Sequence, residues 1–337
     1  MFTRAIPMLG AAILAATPLT AQETMNFALD WRFEGPSAPY FLAIDNGHFA
    51  EAGLEVEITA GQGSLDAIPK VASGAFPMGF ADINSLIRFL DQNPGAPVIA
   101  VMMVYDSPPF SIVGRVSQGV SGIDDLEGIT LGAPPPDGAW AQFPILAEVN
   151  GIDVSTITVE PVGFPTREPM LAEGNVDAVT GFNFSSYLSL ARLGVPEEDI
   201  TTILFADHGV ALYGNAIIAN TEWLAANPDL ATAALAAIAE GWSDAIADPA
   251  AGAAAVIDRN PAGDVELETR RLELAIEGNV LTDYVVANGM GNIDADRMAT
   301  ALEQLQLTYE FQNEIDPSLY FTDAYLPASD VLMIAPE

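Results

Sequence analysis

Cysteine is absent from this chain of 337 residues. Disulfide bonds, thiolate metal sites, a cysteine nucleophile and a lipid-bearing cysteine are therefore excluded within this sequence. Basic residues are also scarce, because 46 acidic residues face 11 basic ones and Lys70 is the only lysine. The net charge of −35 repels nucleic-acid phosphates and anionic lipids, so we expect neither a nucleic-acid partner nor attachment to a membrane surface through a basic patch.

Histidine occurs only twice, at His48 and His208, and the two are far apart in the sequence. Neither has a neighbouring carboxylate at the spacing of a metal-binding motif. The sequence therefore predicts no metal site and no cofactor.

Long apolar runs are missing after the N-terminus, where none reaches the roughly 18 residues that a bilayer-spanning helix needs. The first 21 residues differ from the rest: Arg4 is their only charge, and an apolar segment leads to small residues before Ala21. This pattern predicts a secretory signal peptide over 1–21 that is cleaved near Ala21, with a frayed N-terminal helix as the alternative. We therefore expect a free periplasmic protein that is not lipid-anchored.

The length exceeds the roughly 250–300 residues at which a single hydrophobic core stops growing, so two lobes are expected. Short apolar strands alternate with helical segments, which is typical of an α/β protein with mainly parallel, helix-covered sheets. The alternation pauses near 110–120 and again near 207–210, which predicts two crossovers between lobes. We place lobe one at 22–116 and 211–337, including C-terminal helices, and lobe two at 117–210.

Ligands of open parallel sheets bind in the crevice at the carboxyl ends of the strands. Aromatic side chains at these ends could sandwich a flat ring, and carboxylates and amides there could bond its NH, NH₂ and carbonyl groups. The candidate ligand-binding residues are Trp31, Glu34, Ser64, Asp82, Asn84, Tyr105, Asp106, Asp137, Trp140, Phe182 and Asn183. Each aromatic could instead belong to a lobe core, Ser64 could belong to an ordinary turn, and Asp82, Asn84 and Asp137 could be helix caps.

Several blocks of the sequence resemble a known family. They are Leu29-Asp30-Trp31, Gly79-Phe80-Ala81-Asp82, Leu126 to Ala133 and Gly174 to Ala178. In order and spacing they resemble the periplasmic receptors of ABC importers of the nitrate/sulfonate/taurine and thiamine-pyrimidine type. The resemblance implies a two-lobed periplasmic binding protein fold of type II with two crossover strands. It also implies a monomer that delivers a small molecule to an ABC permease and its ATPase.

Within that family, Leu29-Asp30-Trp31 is similar to the branch that binds thiamine-pyrimidine precursors, which implies that Trp31 faces the ligand. The chain departs from this branch at Arg32 to Ser37, where an Asn-Pro and a His would be expected. Uracil-type bases and flavins therefore stay open as ligands beside a thiamine-pyrimidine precursor.

Three functions follow from these patterns. The first is a binding protein for a pyrimidine-like heterocycle, because the acidic strand ends oppose an anion. The second is a binding protein for an aliphatic sulfonate such as taurine, with Arg32 or Arg167 as its cation. The third is an enzyme similar to thiamine-pyrimidine synthase, which needs a Schiff-base lysine that only Lys70 could supply. We predict a binding protein rather than an enzyme.

Overall fold

The computed structural model describes residues 22–335, so the predicted signal peptide over 1–21 lies outside the described residues. Ten strands form two separate five-stranded sheets within this range. No helix in it is long and apolar enough to cross a bilayer.

The first sheet has the strand order β2-β1-β3-β10-β4. Its strands are β1 (Glu23–Ala28), β2 (Leu54–Thr59), β3 (Met78–Asp82), β4 (Val98–Met103) and β10 (Asn215–Asn220). β1 pairs in parallel with β2 and β3, whereas β10 runs antiparallel to both β3 and β4. The central strand β3 is buried along its whole length, while β2 at the edge alternates buried or half-buried residues with exposed ones, as predicted.

The second sheet repeats this arrangement with the order β7-β6-β8-β5-β9. Its strands are β5 (Phe110–Arg115), β6 (Thr130–Ala133), β7 (Thr158–Pro161), β8 (Ala178–Phe182) and β9 (Ile200–Leu204). β5 runs antiparallel to β8 and β9, whereas β6 pairs in parallel with β7 and β8. The boundary predicted from the sequence, at residue 116, places β5 in lobe one. The hydrogen bonds of β5 place it in the second sheet instead, so the chain passes from lobe one to lobe two before Phe110.

The helices cover both sheets. They are α1 (Ala38–Asp45), α2 (His48–Glu51), α3 (Ser64–Ala72), α4 (Ile83–Gln92), α5 (Gly138–Asn150), α6 (Arg167–Ala172), α7 (Asn183–Arg192), α8 (Thr221–Ala226), α9 (Pro228–Ala247), α10 (Pro249–Arg259), α11 (Val265–Ala275), α12 (Asp283–Asn288), α13 (Ala295–Gln306) and α14 (Ser329–Leu332). A π-helical turn, Ile276–Val280, follows α11.

Two large apolar clusters fill most of the interior, and a third, smaller one around Val113 and Val179 lies in lobe two. Of the large clusters, one lies mainly in lobe one, where buried side chains of β1 and α1 pack against α9 around Trp242. The other extends across both lobes, because Ile83 and Ile87 of α4 belong to the same cluster as Phe143 of α5 and Ile112 of β5. The two lobes therefore share apolar packing on the side of α4 and α5.

Two connections join the sheets, at 104–109 between β4 and β5 and at 205–214 between β9 and β10. They lie side by side, since the backbone N–H of Tyr105 donates to the Asn215 carbonyl (2.9 Å) and that of Gly214 donates to the Tyr105 carbonyl (2.9 Å). A Cβ atom at Gly214 would lie 2.7 Å from the Cβ atom of Tyr105, so this close approach requires glycine.

Candidate ligand-binding site

A cavity of about 60 Å³ lies between the lobes, at the carboxyl ends of strands from both sheets. Since roughly 10–15 Å³ of such volume suffices for one water molecule, the cavity holds about four to six waters, close to the space of one substituted six-membered ring. The side chains and backbone that line it belong to Leu29, Asp30, Trp31, Arg32, Glu34, Pro36, Ser37, Tyr40, Gly63, Ser64, Phe80, Tyr105, Asp137, Gly138, Phe164, Arg167, Phe182, Phe184 and Ser185.

Aromatic rings from both lobes form much of the cavity wall. Trp31 of lobe one meets Phe164 of lobe two edge to face, with ring centroids 4.5 Å apart and planes at 78°. Tyr105 contacts Phe80 (5.2 Å) on one side and Phe184 (5.9 Å) on the other. Such an arrangement offers ring faces and edges to a flat ligand from both lobes.

Asp30 forms the polar floor of the cavity at the end of β1. Its Oδ2 atom accepts hydrogen bonds from the Asn215 side-chain amide (2.6 Å) and the Ser64 hydroxyl (3.2 Å). Burial raises the pKa of the Asp30 carboxyl to about 7, against the lowering effect of these two bonds, and the nearby Asp82 raises it further. Near neutral pH this carboxyl can therefore present either a hydrogen-bond donor or an acceptor to a ligand.

Arg167 is the buried cation of the cavity, but carboxylates already neutralise it. Its guanidinium group binds Glu168 at 2.6 Å and lies 3.9 Å from Asp137. Asp137 in turn accepts a hydrogen bond from the Thr180 hydroxyl (2.7 Å), and burial raises the pKa of its carboxyl against the opposing effect of Arg167. An anionic ligand would have to compete with two acidic side chains for this cation.

Glu34 joins the two lobes at the cavity wall. Its Oε2 atom accepts hydrogen bonds from the Trp31 indole N–H (3.1 Å) and from the hydroxyl of Ser185, in lobe two (3.3 Å). Arg271 of α11 approaches the same oxygen to 3.4 Å. The carboxylate thus fixes the orientation of the Trp31 ring while the lobes are in contact.

Six of the residues predicted to bind the ligand line this cavity, and five do not. Those in the lining are Trp31, Glu34, Ser64, Tyr105, Asp137 and Phe182. The structure brings them together because β1, α3, α5 and β8 all point their ends into the same cleft.

Asp82 and Asn84 belong to the start of α4 rather than to the cavity lining. The Asp82 side chain caps the helix by accepting from the backbone N–H groups of Asn84 and Ser85. Burial raises the pKa of the Asp82 carboxyl, although the hydrogen bond from Ser85 opposes this effect. The Asn84 side-chain amide donates hydrogen bonds to the Asp82 carboxylate and to the Tyr213 carbonyl. Asp82 therefore acts as a helix cap, which was the alternative interpretation, and Asn84 supports that cap.

The other three lie elsewhere around the cleft. Asp106 sits in the connection 104–109, where its carboxylate pairs with Arg297 (3.2 Å). Trp140 lies near the start of α5 and stacks on Phe143, with centroids 5.8 Å apart. The backbone N–H of Asn183 bonds the Pro109 carbonyl, and this residue begins α7 beside the cavity residues Phe182 and Phe184.

Thirteen lining residues, including Asp30, were not among the predicted ligand-binding residues, and two of them, Tyr40 and Phe80, lie where the sequence predicts core. Phe80 lies inside the buried strand β3 and Tyr40 on the buried helix α1, where an apolar pattern predicts core packing. Their proximity to the cleft follows from the strand order, which the pattern alone does not contain.

The residues that a synthase-like reaction would need lie outside the cavity lining. Lys70 of α3 pairs with Asp66 at 2.6 Å. His48 contacts Asp244 (2.7 Å) and Glu240 (3.2 Å) of α9. Within residues 22–335, no group of three or more acidic or histidine side chains could hold a metal ion.

Comparison with protein families gives one match that covers more than half of the chain. The sequence model described as "NMT1/THI5 like" matches residues 35–252.

Comparison with characterised proteins gives relatives of two kinds. The chain is 30% identical to the formylaminopyrimidine-binding protein of Halalkalibacterium halodurans over 62% of its own length and 68% of that protein. It is 25% identical to the riboflavin-binding protein RibY of Chloroflexus aurantiacus, over 94% and 91% of the two chains. A 4-amino-5-hydroxymethyl-2-methylpyrimidine phosphate synthase of Aspergillus parasiticus is 24% identical over 71% of each chain.

Solved structures share the fold. The periplasmic aliphatic sulphonate binding protein SsuA of Escherichia coli superimposes with a TM-score of 0.70 at 14% identity, covering 88% of this chain and 96% of that one. The two-lobed α/β architecture is therefore that of periplasmic binding proteins, as the sequence predicted.

Proposed function

Because the chain belongs to the NMT1/THI5-like family, we propose that it is an extracytoplasmic binding protein for a single-ring, pyrimidine-like heterocycle. The lobes close on the ligand by rotating about the connections 104–109 and 205–214, which we take as the lobe boundaries. The protein then delivers the ligand from the periplasm to an ABC permease and its ATPase. The residues proposed to bind the ligand are Trp31, Glu34, Ser64, Tyr105, Asp137 and Phe182.

The observation that carries this proposal is the chemistry of the cavity wall. Aromatic rings of both lobes line it, and Asp30 at its floor offers a carboxyl group suited to an amino or ring N–H group. The buried guanidinium of Arg167 is already paired with Glu168, so a sulfonate gains little from it. Similarity to a formylaminopyrimidine-binding protein and to a riboflavin-binding protein also supports a heterocyclic ligand.

The size of the cavity favours one ring over three. Space for about four to six waters suits a substituted pyrimidine, whereas an isoalloxazine ring system with its side chain would require the lobes to stand further apart. We therefore rank a thiamine-pyrimidine precursor or nucleobase-like compound above a flavin.

A binding role is also favoured over catalysis. A pyridoxal-dependent synthase needs a lysine at its reaction centre, and the single lysine, Lys70, is paired with Asp66 outside the cavity lining. The cavity lining also contains neither His48 nor His208. The residues present therefore do not fit a pyridoxal cofactor, and we propose no reaction.

An aliphatic sulfonate is the second candidate, because Arg32 also lines the cavity. Its guanidinium lies over the Trp31 ring, 5.2 Å from the centroid, and it is exposed. A sulfonate at the mouth of the cleft could reach this cation without displacing Glu168.

Isothermal titration calorimetry against a panel of compounds separates these candidates. The panel is formylaminopyrimidine, hydroxymethylpyrimidine, uracil, thymine, riboflavin and taurine. We expect at least one single-ring pyrimidine to bind and taurine not to bind. Binding of taurine alone would contradict the charge argument, and binding of riboflavin alone would contradict the size argument.

Two tryptophan variants test whether binding uses the cavity. Trp31→Ala removes a lining ring and should weaken binding by at least tenfold, since stacking and apolar burial are lost together. Trp140→Ala removes a tryptophan that stacks on Phe143 outside the lining, and it should bind as the wild type does. Equal loss in both variants would argue against this cavity as the site.

A further inference from the structure

The guanidinium group of Arg297 bonds to both of the connections that join the lobes. Its Nη2 atom donates to the carbonyl oxygen of Asp106 (2.6 Å), in the connection 104–109. The same Nη2 atom donates to the carbonyl of Leu212 (2.8 Å) and Nε donates to that of Ala211 (3.3 Å), both in the connection 205–214. One side chain of α13 therefore bridges two chain segments that are about 100 residues apart in sequence.

Further contacts hold Arg297 in this position. Its Nη1 atom lies 3.2 Å from the Asp106 carboxylate, and its guanidinium lies over the Tyr213 ring, 4.0 Å from the centroid. The Tyr213 hydroxyl accepts from the backbone N–H of Asp294 (2.8 Å), the residue that caps α13. The start of α13 is thus fixed to the second connection through Tyr213 and to the first through Asp106.

The π-helical turn after α11 also forms hydrogen bonds with the connection 104–109. The backbone N–H of Ser107 donates to the Asn279 carbonyl (3.1 Å), and the Asn279 side-chain amide donates back to the Ser107 carbonyl (3.1 Å). The Thr282 hydroxyl donates to the Asp106 carboxylate (2.6 Å). Asn279 is fully buried, and π-helical turns often occur at functional positions.

We propose that Arg297 is the positioning residue of the hinge between the lobes. A planar guanidinium donates in fixed directions, so it resists any sliding of one connection along the other while still permitting rotation. It would thereby fix the axis about which the lobes rotate. Arg297 lies outside residues 35–252, which match the family model, and it is not among the residues that line the cavity.

The absence of cysteine makes this proposal directly measurable, because introduced cysteines are the only sites for spin labels. Glu55→Cys on β2 and Thr158→Cys on β7 place one label on the exposed edge strand of each sheet. Double electron–electron resonance then gives the distribution of distances between the lobes. The experiment uses no ligand, so its result does not depend on whether the proposed heterocycle is the right one.

Two substitutions of Arg297 are compared in this labelled background. In Arg297→Met the bridge is lost, and in Arg297→Lys the charge stays while the fork that reaches both connections is lost. We expect both variants to broaden the distance distribution, because the two connections can then slide along each other. Thermal unfolding checks that each variant is folded. A wild-type distribution in both folded variants would overturn the proposal.

Arg259→Met is the matched control. Arg259 also pairs with a carboxylate, Asp45 (2.6 Å), and lies over an aromatic ring, Phe41 (4.5 Å), but all three belong to lobe one. Its loss should lower stability without changing the distances between the lobes. If Arg259→Met broadens the distribution as much as Arg297→Met, the effect is general loosening, and the hinge assignment fails.

Discussion

The buried carboxyl of Asp30 allows a quantitative prediction about pH. Its folded-state pKa is about 7, against an ordinary value of 3.8, because burial disfavours the ionised form. Between these two values the folded protein binds a proton that the unfolded chain has released. The free energy of unfolding should therefore fall as pH rises through this window, and the loss is complete once the pH exceeds the folded pKa. The charged neighbour that strengthens the effect is Asp82, while Ser64 and Asn215 oppose it.

The magnitude follows from linkage. A shift of about three units corresponds to about 4 kcal/mol in total, of which about 2–3 kcal/mol falls between pH 5 and pH 8. Other buried carboxyls contribute to the pH dependence as well, so the contribution of Asp30 has to be isolated by substitution. Asp30→Asn cannot ionise, so this variant lacks the loss of stability that the Asp30 carboxyl causes in the wild type. Between pH 5 and pH 8 the unfolding free energy of the variant, relative to that of the wild type, should therefore rise by about 2–3 kcal/mol.

Urea unfolding of both proteins at several pH values measures this difference. Asp258→Asn serves as the control, since Asp258 is exposed on α10 and its substitution removes one carboxylate outside the cavity lining. A pH-independent difference for Asp30→Asn would mean that this carboxyl is ionised and hydrated in solution. The burial of Asp30 at the cavity floor, and the donor role proposed for it, would then be refuted.

Three other predictions concern packing, anchoring and charge. Gly35→Ala should lower the free energy of unfolding in urea by about 1–3 kcal/mol, because the added Cβ would overlap the backbone oxygen of Glu268. Gly122→Ala, with open space around it, should be neutral, and equal effects of the two substitutions would contradict the close packing of Gly35 against α11. Asp91→Asn should expose the segment 309–313 to chymotrypsin, because the Asp91 carboxylate accepts the backbone N–H groups of Gln312 and Asn313. Unchanged cleavage would mean that this segment is held by other contacts. The melting temperature should rise between 0.1 and 1 M NaCl, because the Debye screening length falls from about 10 Å to about 3 Å and the repulsion within a chain of net charge −35 is weakened. A constant or falling melting temperature would show that self-repulsion is unimportant.

The sequence was sufficient where the structure depends on local periodicity. Strand β2 alternates as predicted, Asp82 and Asp137 cap helices, and the βα alternation gives the α/β class of fold. These features follow from side-chain spacing and capping, which act over a few residues.

The sequence was insufficient where the structure depends on strand order. Asp106 follows β4 and was expected in the crevice, but only its neighbour Tyr105 lines the cavity, because the Asp106 carboxylate bonds to Arg297 and Thr282 of the C-terminal region. Trp140 was predicted to face the cavity, but its ring stacks on Phe143, one turn later on α5. The partners of Glu34 and Asp106 in the C-terminal helices are separated from them by more than 170 residues, and spacing rules carry no information over that distance.

The apolar cluster that runs through α4 and α5 has a consequence for how the protein denatures. Side chains from both halves of the molecule complete this cluster, so melting of either half would expose apolar side chains of the other. Lobe two also lacks chain ends of its own, being enclosed between two stretches of lobe one. A calorimetric scan should accordingly show one cooperative endotherm, and two resolved peaks would mean that the halves are energetically independent.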